Sequence, residues 1–383
     1  MTVRSNPFSY RFSMRPLLSI VSLLLVFAAA WQSHPPHVLA PFAQATKDTS
    51  PTAAAPQYSS RFVSSQLNDF VHSSSVTALP GGDLMAVWFA GSREGAADVQ
   101  VRTARFDAKS AEWGPEQVLA TRESTRDGTH RYIRKLGNPV IALAPDNRLW
   151  MFYVSVSVGG WATSAINVMV SDDLGTNWSA PRQLITSPFF NISTLVRAAP
   201  VFHADGSIGL PVYHEFMGKF AEYLYLSPDG AVVDKFRISR GKNSLQPTIV
   251  PQDGQRAIAM LRYAGETHHR VLASRTEDAG QTWSEPYPLE PSNPNSSLAA
   301  VSTEGDGLLV ALNDLQDGRF KLSLYGTDAN LNQWRTVVEL DQSPDPLGQP
   351  FSPAAYKEII GEGFRASSGA RRLPLEQRFL SNL

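Results

Sequence analysis

The 383-residue chain contains no cysteine, and that one absence removes disulfide frameworks, thiolate metal sites and cysteine nucleophiles together. It also lacks any excess of charge. Its 34 Lys and Arg meet 35 Asp and Glu for a net charge of −1, so the basic face that ordinary nucleic-acid binding needs has no source. Helical periodicity is missing from the main body, where apolar residues do not recur at a spacing of 3.6. What the chain does have is 26 Gly, 27 Pro and 19 Phe within a 43% hydrophobic composition, which suits a large folded body with many turns.

Arg4, Arg11 and Arg15 precede the apolar run from Leu17 to Ala30, and no acidic residue comes before Asp48. That order matches the basic and apolar regions of an export signal. The run is shorter than the ~20 residues a membrane span wants, and Ala28-Ala29-Ala30 offers a small-residue cleavage site. Residues 1–31 are therefore expected to be a signal peptide or membrane anchor, and the working domain to be extracytoplasmic, periplasmic or secreted, with possible N-terminal membrane attachment. Residues 32–60 are rich in Pro, Ala, Ser, Thr and Gln without a sustained period, which predicts a flexible linker. The working domain is placed at 61–383.

Within that domain one pattern recurs five times. Its first halves are VTALPGGDLMAVWFAG from Val76, NPVIALAPDNRLWMFYVSV from Asn138, AAPVFHADGSIGLPVYHE from Ala198, QPTIVPQDGQRAIAMLRYAG from Gln246 and LAAVSTEGDGLLVALND from Leu298. In each, β-branched and aromatic residues flank a Gly, Asp or Asn turn at hairpin length, which predicts paired antiparallel strands. The second halves carry S/T-x-D-x-G-x-T-W. Thr276, Asp278, Gly280, Thr282 and Trp283 match it fully, and Ser171, Asp173, Gly175 and Trp178 match with Asn177 in place of the second Thr. Looser copies sit at Asp107, Asp229 and Asp328, so the aspartates recur at spacings of roughly 50–65 residues, as four-stranded propeller blades plus loops require. The motif reads as a folding device: Asp accepts local N–H groups, Gly permits positive φ, and Trp packs between units. Five such units, plus strands around Phe62 to Phe70 completing a sheet with the carboxyl-terminal segment, predict a six-bladed β-propeller of four-stranded antiparallel blades. Two separate β domains are the alternative.

The two better motif copies are similar to the Asp-boxes, or BNR repeats, of the sialidase (neuraminidase) superfamily. Together with FAGSREG, GNPVI, LPVYHE, QPTIV and PNPNSS, they make residues from about Ser60 to about Tyr325 resemble its bacterial sialidase-like branch. Asp-boxes also occur in propellers that are not sialidases, so the resemblance bears on fold more than on reaction.

Propeller ligands bind where inner strands and their loops converge, so polar residues at matching places in successive units are the candidates. After the second strand come Arg93 and Glu94, then Tyr213, His214 and Glu215, then Arg262; ahead of the first strand lie Arg134, Asn138, Arg197, Gln246 and Asn295. Arginines at equivalent strand ends suit a carboxylate, which guanidinium forks bind bidentately, so an acidic glycan is the expected partner. The resemblance implies an arginine triad around the sugar carboxylate, for which Arg93, Arg197 and Arg262 are the candidates, with Arg134 in reserve. It also implies a Tyr nucleophile, offered by Tyr213 with Glu215, and an acid/base carboxyl group, offered by Glu94 or Asp98. His214 is a candidate general base. His268-His269 lacks a second ligand pair, so no metal and no cofactor are expected.

Two features depart from the family pattern. FRIP is absent, and FAGSREG stands nearest its role; after Phe351 no alternating strands follow, although a sixth repeat is expected near Gln349. Sialidases take their nucleophilic Tyr and third Arg from that late region, where Tyr356 is the only Tyr after Tyr325. The leading expectation is an exported exo-α-sialidase-type glycoside hydrolase. The alternatives are a non-catalytic carbohydrate-binding propeller, or a hydrolase or lyase for another uronate-containing polysaccharide with Tyr213 and His214 moving protons. The glycan, its linkage and the oligomeric state have no signature in the sequence.

Overall fold

The computed structural model describes residues 14–32, 38–44, 59–64, 70–158, 160–187, 191–216, 218–241, 243–303 and 307–342. The chain divides into two units, Met1–Val38 and Leu39–Leu383. In the first, helix α1 (Met14–Gln32) exposes Leu18, Leu23, Leu24, Leu25 and Val26. No helix among the described residues is long and apolar enough to cross a membrane.

The second unit is built from five antiparallel sheets in chain order. Blade 1 holds β1 (Phe70–Ala78), β2 (Leu84–Gly91), β3 (Gln100–Asp107), and the short β4 (Glu112–Trp113) and β5 (Gln117–Ala120), which both pair with β3. Helix α2 (Arg122–Thr129) leads to blade 2, made of β6 (Lys135–Leu143), β7 (Leu149–Val156), β8 (Ser164–Ser171) and β9 (Arg182–Gln183). In blade 3 the inner strand is broken into β10 (Leu195–Val196) and β11 (Val201–Phe202). Both pair with β12 (Ile208–His214), which is followed by β13 (Phe220–Leu226) and β14 (Val232–Arg237). Blade 4 comprises β15 (Ser244–Pro251), β16 (Ala257–Tyr263), β17 (Arg270–Thr276) and β18 (Tyr287–Ser292). Blade 5 comprises β19 (Leu298–Ser302), β20 (Leu308–Leu312), β21 (Lys321–Thr327) and β22 (Trp334–Gln342).

The blades stack through their strand faces. Side chains alternate along a strand, so a strand flanked by two blades is apolar on both sides. In β7 every residue is buried: Met151 and Tyr153 join Val87 and Phe89 of blade 1, while Phe152 and Val154 join Leu210 and Val212 of blade 3. Equivalent clusters join Tyr223 and Tyr225 to Ala259 and Leu261, and Met260 and Val271 to Val310 and Leu312. Each fully buried large side chain contributes about 1.5–3 kcal/mol.

The Asp-boxes close the turn after each third strand and hold the next blade against the previous one. The Asp173 carboxylate accepts from Ser171 Oγ at 2.8 Å, Asn177 N at 2.8 Å and Asn177 Nδ2 at 2.7 Å; Asp278 accepts from Thr276 Oγ1, Thr282 N and Thr282 Oγ1 at 2.8, 2.8 and 2.6 Å. The box glycines sit at φ 94° and 100°, where L side chains are strained, and lie directly on the preceding blade. A Cβ on Gly280 would fall 2.8 Å from Tyr223, and one on Gly175 would fall 2.3 Å from Met85. Trp178 and Trp283 donate their indole N–H to Gly175 O and Gly280 O at 3.2 and 2.8 Å.

The blade number corrects the sequence-based expectation of six: the described residues form five blades. Residues 59–64 form no strand. Val63 packs instead beside Trp88 and Trp113, on the face of blade 1 opposite the one that meets blade 2, and Arg61 donates to Ala111 O. Phe70, counted toward an extra sheet, begins β1 and is paired with Gly91 inside blade 1. Alternating apolar residues report that a strand has a buried face, and not which sheet it joins. The segment expected to supply the sixth repeat, with Tyr356, lies outside the described residues.

Residues 39–44, read as linker, are a docked strap. Leu39 and Phe42 are buried in the core between blades 3 and 4, Phe42 N donates to Gly254 O at 2.7 Å, and the Phe42 ring stacks on His203.

Candidate functional site

The box turns and the candidate polar residues occupy opposite ends of the blades. Register fixes this. Phe70, Lys135, Leu195 and Ser244 at the starts of the inner strands pair with Gly91, Val156, Tyr213 and Tyr263 at the ends of the second strands, whereas the boxes follow the far ends of the third strands.

At this mouth three inner strands are broken in the same way. Register slips between His72 and Ser75 in β1, Gly137 and Val140 in β6, and Leu245 and Thr248 in β15. Inside the slips Ser73, Asn138 and Gln246 have φ of 60°, 47° and 49°. A left-handed non-glycine costs on the order of 1–2 kcal/mol, and such bulges re-aim a side chain out of the strand's alternation. Pro139 and Pro247 follow two of the three positions; Pro lacks an N–H and fits where the ladder is already interrupted.

The re-aimed side chains converge on Tyr213, at the end of β12 and 3% exposed. Asn138 Nδ2 and Gln246 Nε2 donate to its hydroxyl at 3.2 and 3.3 Å. Ser73 Oγ donates to Asn138 Oδ1 at 3.2 Å. Arg262 Nη1 donates to Gln246 Oε1 at 3.2 Å and Arg262 Nε to Asn295 Oδ1 at 2.7 Å, while Arg319 Nη2 donates to Asn295 O at 2.6 Å. Arg197 Nη1 donates to Ser74 O at 3.2 Å. One polar network thus takes a residue from every blade.

Charge is unbalanced there. Burial pushes the Tyr213 phenol up to about 12 and the nearby Glu215 carboxylate adds to the rise; the Gln246 hydrogen bond, Arg262 and Arg197 act against it. Burial lowers the affinity of Arg197 for its proton, with Tyr213 opposing. Glu215 keeps an exposed surface, yet desolvation by the surrounding walls raises its pKa, against Arg262 and Lys219 and with Glu94 adding to the rise. Glu215 N donates to Ser193 Oγ at 3.2 Å, which fixes the chain as it leaves β12.

The other candidates divide. His214 alternates with Tyr213 and Glu215 and turns away from them: its Nε2 lies 2.7 Å from Glu222 Oε2, its ring stacks on Phe220 at 4.4 Å, and Arg237 lies 3.0 Å from Glu222. It braces β12 against β13 and β14. Asp98 is engaged by its own loop, accepting from Ser92 N and Ser92 Oγ at 3.0 Å each. Arg93 and Arg134 are exposed at the strand ends of blades 1 and 2, and Glu94 acts electrostatically on both Lys135 and Glu215. Of the four arginines, then, Arg197 and Arg262 act on Tyr213, and Arg93 and Arg134 act on Lys135, whose pKa is lowered by burial first and then by both guanidiniums against Glu94. Ser73, Lys135 and Arg319 escaped the sequence reading. Ser73 stands in register with Asn138 and Gln246 but looks like any strand serine, Lys135 is adjacent to Arg134, and Arg319 lies in a polar loop without a motif.

Among the described residues no group of three or more His, Asp or Glu is placed to hold a metal ion.

Comparison with known proteins ties the chain to one superfamily. A BNR repeat-like domain matches residues 82–366. The fold is similar to that of a Hadza microbial sialidase (TM-score 0.59, 15% identity, 71% of this chain and 59% of that one). It is similar to the intramolecular trans-sialidase of Ruminococcus gnavus, solved with oseltamivir carboxylate (TM-score 0.54, 13% identity, 70% and 85%). It also resembles Trypanosoma rangeli sialidase (TM-score 0.55, 16% identity, 72% and 49%). The chain spans less than two thirds of the Hadza and trypanosomal sialidases, and at these identities the likeness concerns the fold. No curated protein matches the sequence.

Proposed function

Since the chain belongs to the BNR repeat-like family and has a sialidase-like propeller fold, we propose that it is an exported glycoside hydrolase of exo-α-sialidase type, acting on a terminal acidic sugar. The observation that carries this reading is the Tyr213 hydroxyl, which accepts from two amides at the centre of a mouth where Arg197 and Arg262 also act on it.

The division of labour follows from the positions. Arg262, held by Gln246 and Asn295, and Arg197 bind the sugar carboxylate, with Arg319 beside them. The phenol is neutral, so it does not repel that carboxylate. As the glycosidic bond breaks, Tyr213 Oη bonds to the anomeric carbon and its proton passes to Glu215, which desolvation makes more basic than an ordinary carboxylate. Glu94 gives its proton to the leaving oxygen, because Asp98 is occupied by its loop. Water then cleaves the tyrosyl intermediate, activated by the carboxylate that Glu94 has become, and Tyr213 recovers its proton from Glu215.

Release of fluorophore from a fluorogenic sialoside is the test. Arg262→Ala is expected to lower the rate about 100-fold through loss of a charged bidentate contact. No release from the wild-type chain at any pH would remove the sialidase assignment.

One observation favours a second reading, a carbohydrate-binding propeller without turnover: a phenol pushed up to about 12 is a poor nucleophile at pH 7. Glycan-array binding without release would select it.

A further inference from the structure

We propose that His203 is a proton-operated latch at the box end of the propeller: as a neutral ring it holds the 39–44 strap in the seam between blades 3 and 4, and taking up a proton releases the strap. The latch stands apart from the sialidase reading. Strand β12 separates the two sites, running from Ile208 beside the His203 turn to Tyr213 at the mouth.

The strap is fastened along both of its edges. Ala43 N donates to Phe202 O and Ala204 N to Pro41 O, each at 2.8 Å, which ties it to the β11–β12 turn of blade 3. Phe42 N donates to Gly254 O at 2.7 Å, which ties it to the β15–β16 turn of blade 4, where a Cβ on Gly254 would fall 3.2 Å from Pro41. Phe42 and His203 also form an antiparallel bridge, and their rings stack at 5.0 Å.

His203 closes the clasp. It is 1% exposed, with Nδ1 2.6 Å from Ala40 O and Nε2 2.7 Å from Tyr223 Oη. A carbonyl oxygen can only accept, so Nδ1 carries the hydrogen, Nε2 is bare and the phenol donates to it. Protonation breaks that arrangement. A hydrogen on Nε2 faces the phenol as a second donor, and among the described residues His203 is the one hydrogen-bond partner of Tyr223 Oη, so the phenol loses its acceptor. The new charge sits among Leu39, Phe42, Tyr223 and Tyr225, where an unpaired cation is costly.

Little around the ring offsets that charge. The strap itself carries no ionisable side chain. Strand β13 brings the phenols of Tyr223 and Tyr225, and the His203 turn brings Asp205, whose carboxylate accepts from Ser207 N at 2.9 Å and Tyr225 Oη at 3.3 Å. The blade 4 turn brings Asp253 and Arg256, which pair with each other. Burial accordingly lowers the affinity of His203 for a proton, against the Ala40 carbonyl and Asp205. The stabilisation from the neutral ring is therefore complete above the ordinary histidine value of about 6.5 and is lost as pH falls below it toward the lower value of the docked ring. Release uncovers Leu39 and Phe42 and adds residues 39–44 to the chain joining the first unit to the propeller, so acid lengthens that connection.

Hydrogen exchange of the full chain between about pH 7.5 and about pH 5, corrected for the pH dependence of chemical exchange, reads the latch directly. Protection of the Phe42, Ala43 and Ala204 amides is expected to fall about tenfold per pH unit below about pH 6.5, the linkage of one proton, while amides of the β12–β13 ladder keep theirs. In His203→Gln, whose side-chain amide keeps a donor and an acceptor but does not titrate, protection of the strap is expected to stay constant across that range. Constant protection in the wild type, a fall that persists in His203→Gln, or a fall shared with the β12–β13 ladder overturns the latch. If His203→Gln does not fold or leaves the strap undocked, carbon-13 NMR of labelled histidine in the wild type decides. The His203 ring is expected to show the Nδ1–H tautomer at the upper end of the range and to titrate in step with loss of strap protection; a ring that takes up its proton while the strap stays protected overturns the latch.

Discussion

The two ends of each blade use the same residue types for opposite purposes. At the box end, Asp carboxylates are saturated by local N–H and O–H donors, glycines lie against the neighbouring blade, and arginines donate to carbonyls across blades, as Arg182 does to Asp229 O and Gly230 O and Arg275 to Ala329 O and Asn330 O. At the mouth, among the described residues, Glu94 and Glu215 form no ion pair and Arg93 and Arg134 have no carboxylate partner, while non-glycine residues hold left-handed backbone. Satisfied polar groups stabilise; groups held in place without full satisfaction are available to a ligand.

The sharpest way to test that contrast is to damage each end and ask what fails. Tyr213→Phe is expected to lower turnover about 1000-fold, or roughly 4 kcal/mol of barrier, while the melting temperature stays close to wild type. A large fall in stability instead would make Tyr213 a structural residue. Gly280→Ala should do the reverse. It puts a Cβ 2.8 Å from Tyr223 at φ 100°, at a cost of about 2–3 kcal/mol in chemical denaturation, with the folded fraction keeping its specific activity.

The carboxylates extend the comparison to pH. Burial raises the pKa of Glu215, so a general base there must lose its proton above the usual carboxylate range, and turnover climbs with pH through that ionisation. Glu215→Gln is expected to lose that limb and about 100-fold of rate; an unchanged pH profile would assign the base elsewhere. Asp173 moves the other way. N–H donation from Asn177 holds it at about 2, below its unfolded value, so its contribution to stability is present above pH ~4 and is lost as pH falls toward 2. Asp173→Asn should therefore flatten the acid side of a melting-temperature profile without touching turnover. Arg275→Ala, removing half-buried donors to the box turn of blade 5, is expected to cost about 1 kcal/mol or less, the smallest of these effects.

Legibility followed the same division. The boxes were readable because their chemistry is local: Asp278 and its donors Thr276 and Thr282 lie within a few residues of one another. Asn138, Tyr213, Gln246 and Arg262 were nameable from equivalent positions in the repeat, but their meeting was not, since it depends on three bulges and on blades far apart in sequence. His214 could not be told from its neighbours until the alternation of β12 turned it toward Glu222. Asp98 could not be told from Glu94 until the loop closed on it. Leu39 and Phe42 were hidden in a composition that reads as linker.

Short-range pattern by itself determined the hairpins, the box turns and hence the propeller class, because these are set by side-chain period and by hydrogen bonds that span a few residues. The number of blades, the division of the arginines between Tyr213 and Lys135 and the placement of Tyr213 under two amides were decided only in three dimensions. Those properties depend on which sheet a strand joins and where a bulge redirects a side chain, and both are settled by packing between segments that the chain order keeps apart.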